Sequence, residues 1–145
     1  MIVVLDANVI VSGIARYAKG LSAPVRVVRA AVDGEYRLVL SDGIVGEATF
    51  ALTKTYFGDR LDERDVAERL LQFKRAGRMV TPSPSIHGIA THWHDDRVLA
   101  TALEGQADYL VTGDKELLSL DHPFPFEIIH PREFLAILEG DETDE

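Results

Sequence analysis

A chain of 145 residues, 46% apolar and 27% charged, has the size and composition of one ordinary domain able to bury a core. It contains no cysteine, which excludes disulfide frameworks, thiolate zinc sites and thiol redox chemistry and is compatible with a reducing cytoplasm. The formal net charge of -9 argues against a protein that grips nucleic acid through a broad basic face, so the acids matter only where they converge.

The opening run Ile2 to Leu5 is too short for the apolar region of a signal peptide, and it breaks at Asp6. No apolar stretch approaches the roughly 20 residues needed to span a bilayer, so a cytoplasmic protein without a membrane partner is expected. Rich in β-branched residues, Ile2 to Leu5 suits a strand buried on both faces, as in a parallel sheet. A stretch containing Gly, Ser and Lys follows. Ala23 to Val32 then places Val25, Val28, Ala31 and Val32 at helical spacing, with Pro24 where a first turn tolerates it.

Arg37 to Leu40 reads as the second strand, with Ser41 and Asp42 as caps of a helix running to about Tyr56. Leu61 to Ala76 repeats the pattern, with Asp62 as cap and Val66, Leu70 and Phe73 facing inward, until Gly77 ends it. Met79 to Thr81 offers a short strand, and Pro82 and Pro84 mark a loop. Asp95 to Glu104 is a helix closed by Gly105, followed by a strand at Tyr109 to Val111 and another at Phe126 to Ile129. Pro131 opens a last helix carrying Phe134, Leu135 and Leu138. The alternation predicts a three-layer α/β/α sandwich on a mainly parallel sheet, with residues 1–138 as one domain and 139–145 as an acidic, disordered tail.

In open α/β sheets, sites form beyond the carboxyl ends of the strands where strand order reverses. Asp6 directly follows the first strand, and Asp114 follows the Tyr109 to Val111 strand after the turn Thr112-Gly113. Glu47 and Asp95 lie in the early parts of helices that begin at the same edge. Four carboxylates gathered there repel one another and raise their own pKa values, which calls for a bound cation, and oxygen-only ligands select Mg²⁺ or Mn²⁺. Such a site can hydrolyse phosphodiesters without a side-chain nucleophile, and its ions let an acidic protein accept an anionic backbone. Taken singly, an acid at a helix start stabilises the dipole and an acid after a strand makes a turn.

Leu5-Asp6-Ala7-Asn8-Val9-Ile10-Val11-Ser12-Gly13 resembles the D-x-N-V-L/I-V-S opening of PIN domains, in the VapC-like branch of toxin components from toxin-antitoxin pairs. Leu40-Ser41 with Glu47 is similar to that branch's strand-Ser and Glu-bearing helix. The blocks D-D-R-V-L-A-T-A at Asp95 to Ala102 and A-D-Y-L-V-T-G-D-K-E-L-L at Ala107 to Leu118 look like its third and fourth acidic blocks, and Pro131-Arg132-Glu133-Phe134-Leu135 like its closing P-R-E-F-L. The resemblance implies an endoribonuclease dependent on Mg²⁺ or Mn²⁺ that cleaves single-stranded RNA to leave a 5′-phosphate. It further implies a neighbouring antitoxin and a homodimer. By the same route Asp6, Glu47, Asp95 and Asp114 are catalytic metal ligands, and Asn8, Ser41 and Thr112 orient them or the scissile phosphate; the last three read equally well as turn and cap residues.

One departure stands out. Relatives often carry D-P-D-D before the third helix, where this chain has His92-Trp93-His94-Asp95, with Asp96 next as an auxiliary ligand or a salt-bridge residue. His92-x-His94-x-Asp96 also resembles the start of the H-x-H-x-D-H zinc motif of metallo-β-lactamase-like hydrolases, although Arg97 stands where that motif needs its next histidine. A zinc hydrolase is therefore one alternative. A receiver-like binding module using Asp6 and Asp114 is another, but it leaves Glu47 and Asp95 unexplained. In a third, the PIN-like fold acts chiefly by binding its antitoxin. For RNA, Arg16 and Lys19, which come after Asp6 in the chain, and Arg97 and Lys115, which each follow an acid of the cluster, are the candidate phosphate contacts, and Trp93 is a base-stacking candidate.

Overall fold

Strand β1, Ile2–Leu5, sits at the centre of the sheet with Val3, Val4 and Leu5 fully buried, which is why its sequence is continuously apolar rather than alternating. The computed structural model describes residues 1–17, 20–54, 62–83, 93–121 and 123–143. β1 pairs in parallel with β2 (Arg37–Leu40) on one side and β4 (Tyr109–Val111) on the other. β3 (Gly77–Met79) extends the sheet beyond β2, and β5 (Glu127–Ile129) beyond β4. The order β3-β2-β1-β4-β5 is parallel throughout, so the chain builds outward from β1 in one direction and then in the other. Strand order therefore reverses between β1 and β4, and their carboxyl ends flank the crevice in which α/β folds bind ligands. A receiver-like module has order 2-1-3-4-5, so that alternative does not describe this sheet.

Seven helices are described: α1 (Ala7–Ala15), α2 (Ala23–Val32), α3 (Asp42–Thr53), α4 (Glu63–Ala76), α5 (Trp93–Glu104), α6 (Lys115–Leu118) and α7 (Pro131–Thr143). Helix α1 contacts α2, α3 and α4, and α2 also packs on α4 and α7. Helix α5 lies on β1, β2 and β4. Phe134 of α7 stands edge-on to Tyr36 with ring centres 5.1 Å apart, and the Tyr36 hydroxyl donates to the Val27 carbonyl at 2.7 Å. Burial pushes that phenol well above its ordinary range and keeps it neutral.

Helix α1 is absent from the sequence reading because Val9-Ile10-Val11 and Ser12-Gly13 are poor helix formers. Tertiary packing overrides that propensity: Val9, Ile10 and Ile14 are buried, and a Cβ on Gly13 would sit 2.3 Å from Val28 Cγ2 and 2.7 Å from the Pro24 carbonyl. Only glycine lets α1 and α2 approach so closely. The short α6 is also missed. Several boundaries move: β3 spans Gly77–Met79, directly after α4; α5 begins at Trp93; α3 ends at Thr53; α4 begins at Glu63; and β5 begins at Glu127. Helix α7 continues to Thr143 instead of giving way to a tail at residue 139, and Glu139 forms an ion pair with Arg26 of α2.

The end of α5 holds another difference. The left-handed position is taken by Gln106, at φ 55°, and not by Gly105. The motif closes with the Ala107 N–H on the Ala102 carbonyl at 2.9 Å. Gly105 is required for a different reason, since a Cβ there would lie 2.5 Å from Val39 Cγ1.

Candidate functional site

Asp6 ends β1 and caps α1. Its backbone N–H donates to the Val111 carbonyl at 2.9 Å, which fixes it beside the end of β4, and its Oδ1 accepts the Ala7 N–H at 2.8 Å. Oδ2 accepts the Thr112 hydroxyl at 2.8 Å and the Asn8 amide at 3.3 Å. The residue is 6% exposed. Burial pushes its carboxyl up from 3.8 to about 6; the Thr112 and Ala7 hydrogen bonds oppose the rise, and the negative charges of Asp95 and Glu47 add to it. Asp6, Asp95 and Glu47 therefore lie within electrostatic reach of one another although they are far apart in the chain.

Asp114 is joined to Asp6 through one hydroxyl. Thr112 is fully buried at the end of β4, donates to Asp6 and accepts the Asp114 N–H at 3.0 Å. The Asp114 carboxylate is half-buried and caps the short α6 by accepting the Glu116 N–H at 2.8 Å. Asn8 reinforces the link, its Oδ1 accepting the Gly113 N–H at 3.4 Å while its amide donates to Asp6. Thr112 and Asn8 thus orient carboxylates as well as supporting turns.

Ser41 is buried at the end of β2 and caps α3 through the Ile44 N–H at 3.5 Å. Its Oγ also lies 3.0 Å from the Thr101 hydroxyl of α5. This joins the helix carrying Glu47 to the helix carrying Asp95. Thr101 was not singled out from sequence; the available signal was a threonine on the apolar side of α5, six residues after Asp95. Asp95 and Asp96 are both buried in the first turn of α5, at 4% and 5% exposure, whereas Glu47 is exposed on α3.

Among the described residues no three His, Asp or Glu side chains stand close enough to form a preassembled metal-ligand set. The links among the four acids are the charge of Asp95 and Glu47 on Asp6 and the Thr112 hydroxyl between Asp6 and Asp114. Two properties still fit a hard divalent cation. All four groups are carboxylates, and buried Asp6 carries a charge that Asp95 and Glu47 destabilise.

The expected cations are placed unequally. Lys115 follows Asp114 and is exposed. Arg97 lies on α5 with its guanidinium against the start of α3, where a Cβ on Gly43 would come within 3.2 Å of it. Beside it opens a cleft of about 380 Å³ lined by Ser41, Asp42, Gly43, Thr81, Ser83 and Arg97. Arg16 caps the end of α1, ten residues and roughly 15 Å along the axis from Asp6, and so lies away from Asp6. Lys19 and His92 lie outside the described residues, as do the side chains of Trp93 and His94, and with them the zinc alternative.

The model of the PIN domain matches residues 2–116. The chain belongs to the PIN-domain family. PIN domains are generally nucleases, and those nucleases generally use divalent metal ions. Two solved structures share the fold. The crystal structure of PAE2754 from Pyrobaculum aerophilum superposes with a TM-score of 0.67 at 19% identity, covering 95% of this chain and 89% of that one. The PIN domain of T. brucei RRP44 does so with a TM-score of 0.52 at 16% identity, covering 99% and 83%. At these identities the likeness establishes the PIN fold alone. No curated protein matches the chain in sequence. No helix among the described residues is long and apolar enough to cross a membrane.

Proposed function

We propose that this PIN domain is an Mg²⁺- or Mn²⁺-dependent endoribonuclease acting on single-stranded RNA, the VapC-like toxin of a toxin-antitoxin pair. The observation that carries the nuclease reading is Asp6: a buried carboxylate fixed at the strand-order reversal and destabilised by Asp95 and Glu47. Evolution tolerates such a group where a cation offsets the charge.

Asp6, Glu47, Asp95 and Asp114 would hold the cation. When bound, it supplies a lowered water pKa and offsets charge on the leaving oxygen. The protein's own part is positioning. Thr112 sets the relative placement of Asp6 and Asp114 with one hydroxyl, and the Ser41–Thr101 contact sets that of α3 and α5. Arg97 and Lys115 present cations for backbone phosphates on either side of the acids, and the cleft beside Arg97 offers space for a strand. The toxin assignment, the antitoxin partner, the homodimer and a cytoplasmic location rest on the resemblance of the motif blocks to that branch.

The test is cleavage of an end-labelled single-stranded RNA by the purified protein. Cleavage is expected with Mn²⁺ or Mg²⁺, to vanish with EDTA, and to fall by at least 100-fold in Asp114→Asn. Wild-type cleavage by Asp114→Asn would refute the carboxylate mechanism. Growth arrest that persists on expressing Asp6→Asn would refute a toxin that acts by cleavage.

A further inference from the structure

The opposite edge of the sheet carries a second cleft, of about 610 Å³, whose lining includes Ile2, Arg37, Val39, Gly77, Arg78 and Gln106 and no acidic residue. Strand register shows how it is built. Ile2 pairs with Arg37, and Val39 with Arg78, so all four side chains project from one face of the sheet. That is the face on which Gly105 of α5 meets Val39. Helix α5 lies on β1, β2 and β4 and α4 contacts β2 and β3, and the cleft opens at the amino ends of β1, β2 and β3 beside the turn that follows α5. Arg37 and Arg78 stand on adjacent strands in a diagonal relation, a spacing of roughly 7–8 Å that long side chains close easily.

The chemistry is unusual for a chain of net charge -9. No ion pair among the described residues engages either guanidinium, and Arg78 makes one long hydrogen bond, 3.4 Å, to the Gly105 carbonyl. Lys74 and Arg75 close α4 just before Arg78 and add to the positive potential. Gln106 is the second, independent observation. It holds a left-handed backbone at φ 55° where Gly or Asn would be relaxed, and it lies on the rim of this cleft. A carboxamide there offers both a donor and an acceptor to a ligand.

We propose that this cleft binds a free mononucleotide. Arg37 and Arg78 take the phosphate, as guanidinium pairs do with a doubly charged anion. Ile2 and Val39 form the apolar floor under the base, and Gln106 reads its polar edge. The volume lies within the range of small-molecule sites. The site is separated from Asp6 and Asp114 by the length of the strands, so its occupation does not depend on the nuclease reading.

The test is calorimetric titration of the full chain with AMP, GMP, CMP and UMP in EDTA, with adenosine and inorganic phosphate as part-ligands. At least one nucleotide binds, and Arg37→Gln and Arg78→Gln each weaken it about tenfold and together about 100-fold. Gln106→Gly changes the preference among bases and leaves phosphate binding intact. Asp6→Asn binds like wild type, which keeps this result separate from the catalytic one. Amide shifts on adding the nucleotide fall at residues 2, 37–39, 77–78 and 106. Both arginines are exposed, and near-UV circular dichroism confirms that the variants fold. No binding at millimolar nucleotide, equal affinity in the double variant, or shifts centred on Asp6 and Asp114 would overturn the proposal. So would an oligoribonucleotide that needs both arginines while mononucleotides fail to bind, since the edge would then be part of a strand path.

Discussion

Asp6→Asn is expected to make this PIN domain more stable at neutral pH while abolishing its proposed activity. The Asp6 carboxyl titrates near 6 in the folded chain and near 3.8 in the unfolded one. Between those values the native state binds more protons than the unfolded state, so stability falls as pH rises through this window and stays low above it. The rise from 3.8 to about 6 corresponds to roughly 3 kcal/mol of native-state penalty at pH 7.5. Asparagine carries no such penalty. Its Oδ1 still accepts the Ala7 N–H, and the Thr112 hydroxyl rotates to accept from its amide, while exposed Asn8 turns to water. At about 2–4 °C per kcal/mol for a chain of this size, the variant should melt roughly 6–12 °C above wild type at pH 7.5 in EDTA. The two should converge near pH 4. Thermal melts across pH 4–8 measure both, and adding Mn²⁺ should raise the wild-type midpoint and leave the variant's unmoved. A variant no more stable than wild type at pH 7.5, or a gap that widens toward acid, would refute the argument that burial and like charge strain this carboxylate.

Thr112→Val removes a hydrogen bond that lowers the Asp6 pKa, so that pKa should climb above 6 and the acidic limb of the pH–rate profile should move to higher pH. Activity at neutral pH should fall about 10–100-fold, and an unmoved limb would show that Thr112 does not govern Asp6. Gly13→Ala places a methyl 2.3 Å from Val28 Cγ2 and should cost at least 1–3 kcal/mol in a denaturant titration, against the small gain that alanine brings to an open helix. Tyr36→Phe keeps the ring against Phe134 but loses the hydroxyl's bond to the Val27 carbonyl, which stays in the α2 ladder, so it should lose about 1 kcal/mol with cleavage unchanged.

The sheet was readable because its strands are short, apolar and β-branched, and because the helices other than α1 and the four-residue α6 announce themselves with a cap or an apolar stripe. The readings that failed share a cause. Helix α1 forms against its own propensities because α2 packs on it across Gly13, and the position of β3 depends on pairing with β2 rather than on the residues of Met79 to Thr81. Gly105 closes α5 by yielding space to Val39, while Gln106 carries the left-handed backbone that a helix-ending glycine commonly takes. Contacts between distant segments leave no periodic trace in a single chain.

The same division runs through the site. Asp6 and Asp114 could be placed from sequence because each directly follows a strand or its turn, and parallel pairing of β1 with β4 brings those ends together. Glu47 and Asp95 depend on how α3 and α5 are set against the sheet, and that setting is made by Ser41 and Thr101, a pair 60 residues apart. The physical logic also resolves the objection raised by a net charge of -9. The protein gathers its destabilised negative charge at the carboxyl edge, where a divalent cation can invert the field for an incoming phosphate. It leaves two guanidiniums without ion-pair partners among the described residues at the amino edge, where no acid lines the cleft. In the arrangement proposed above, an acidic PIN domain needs no broad basic face, because phosphates are taken through a cation at one edge of the sheet and through arginines at the other.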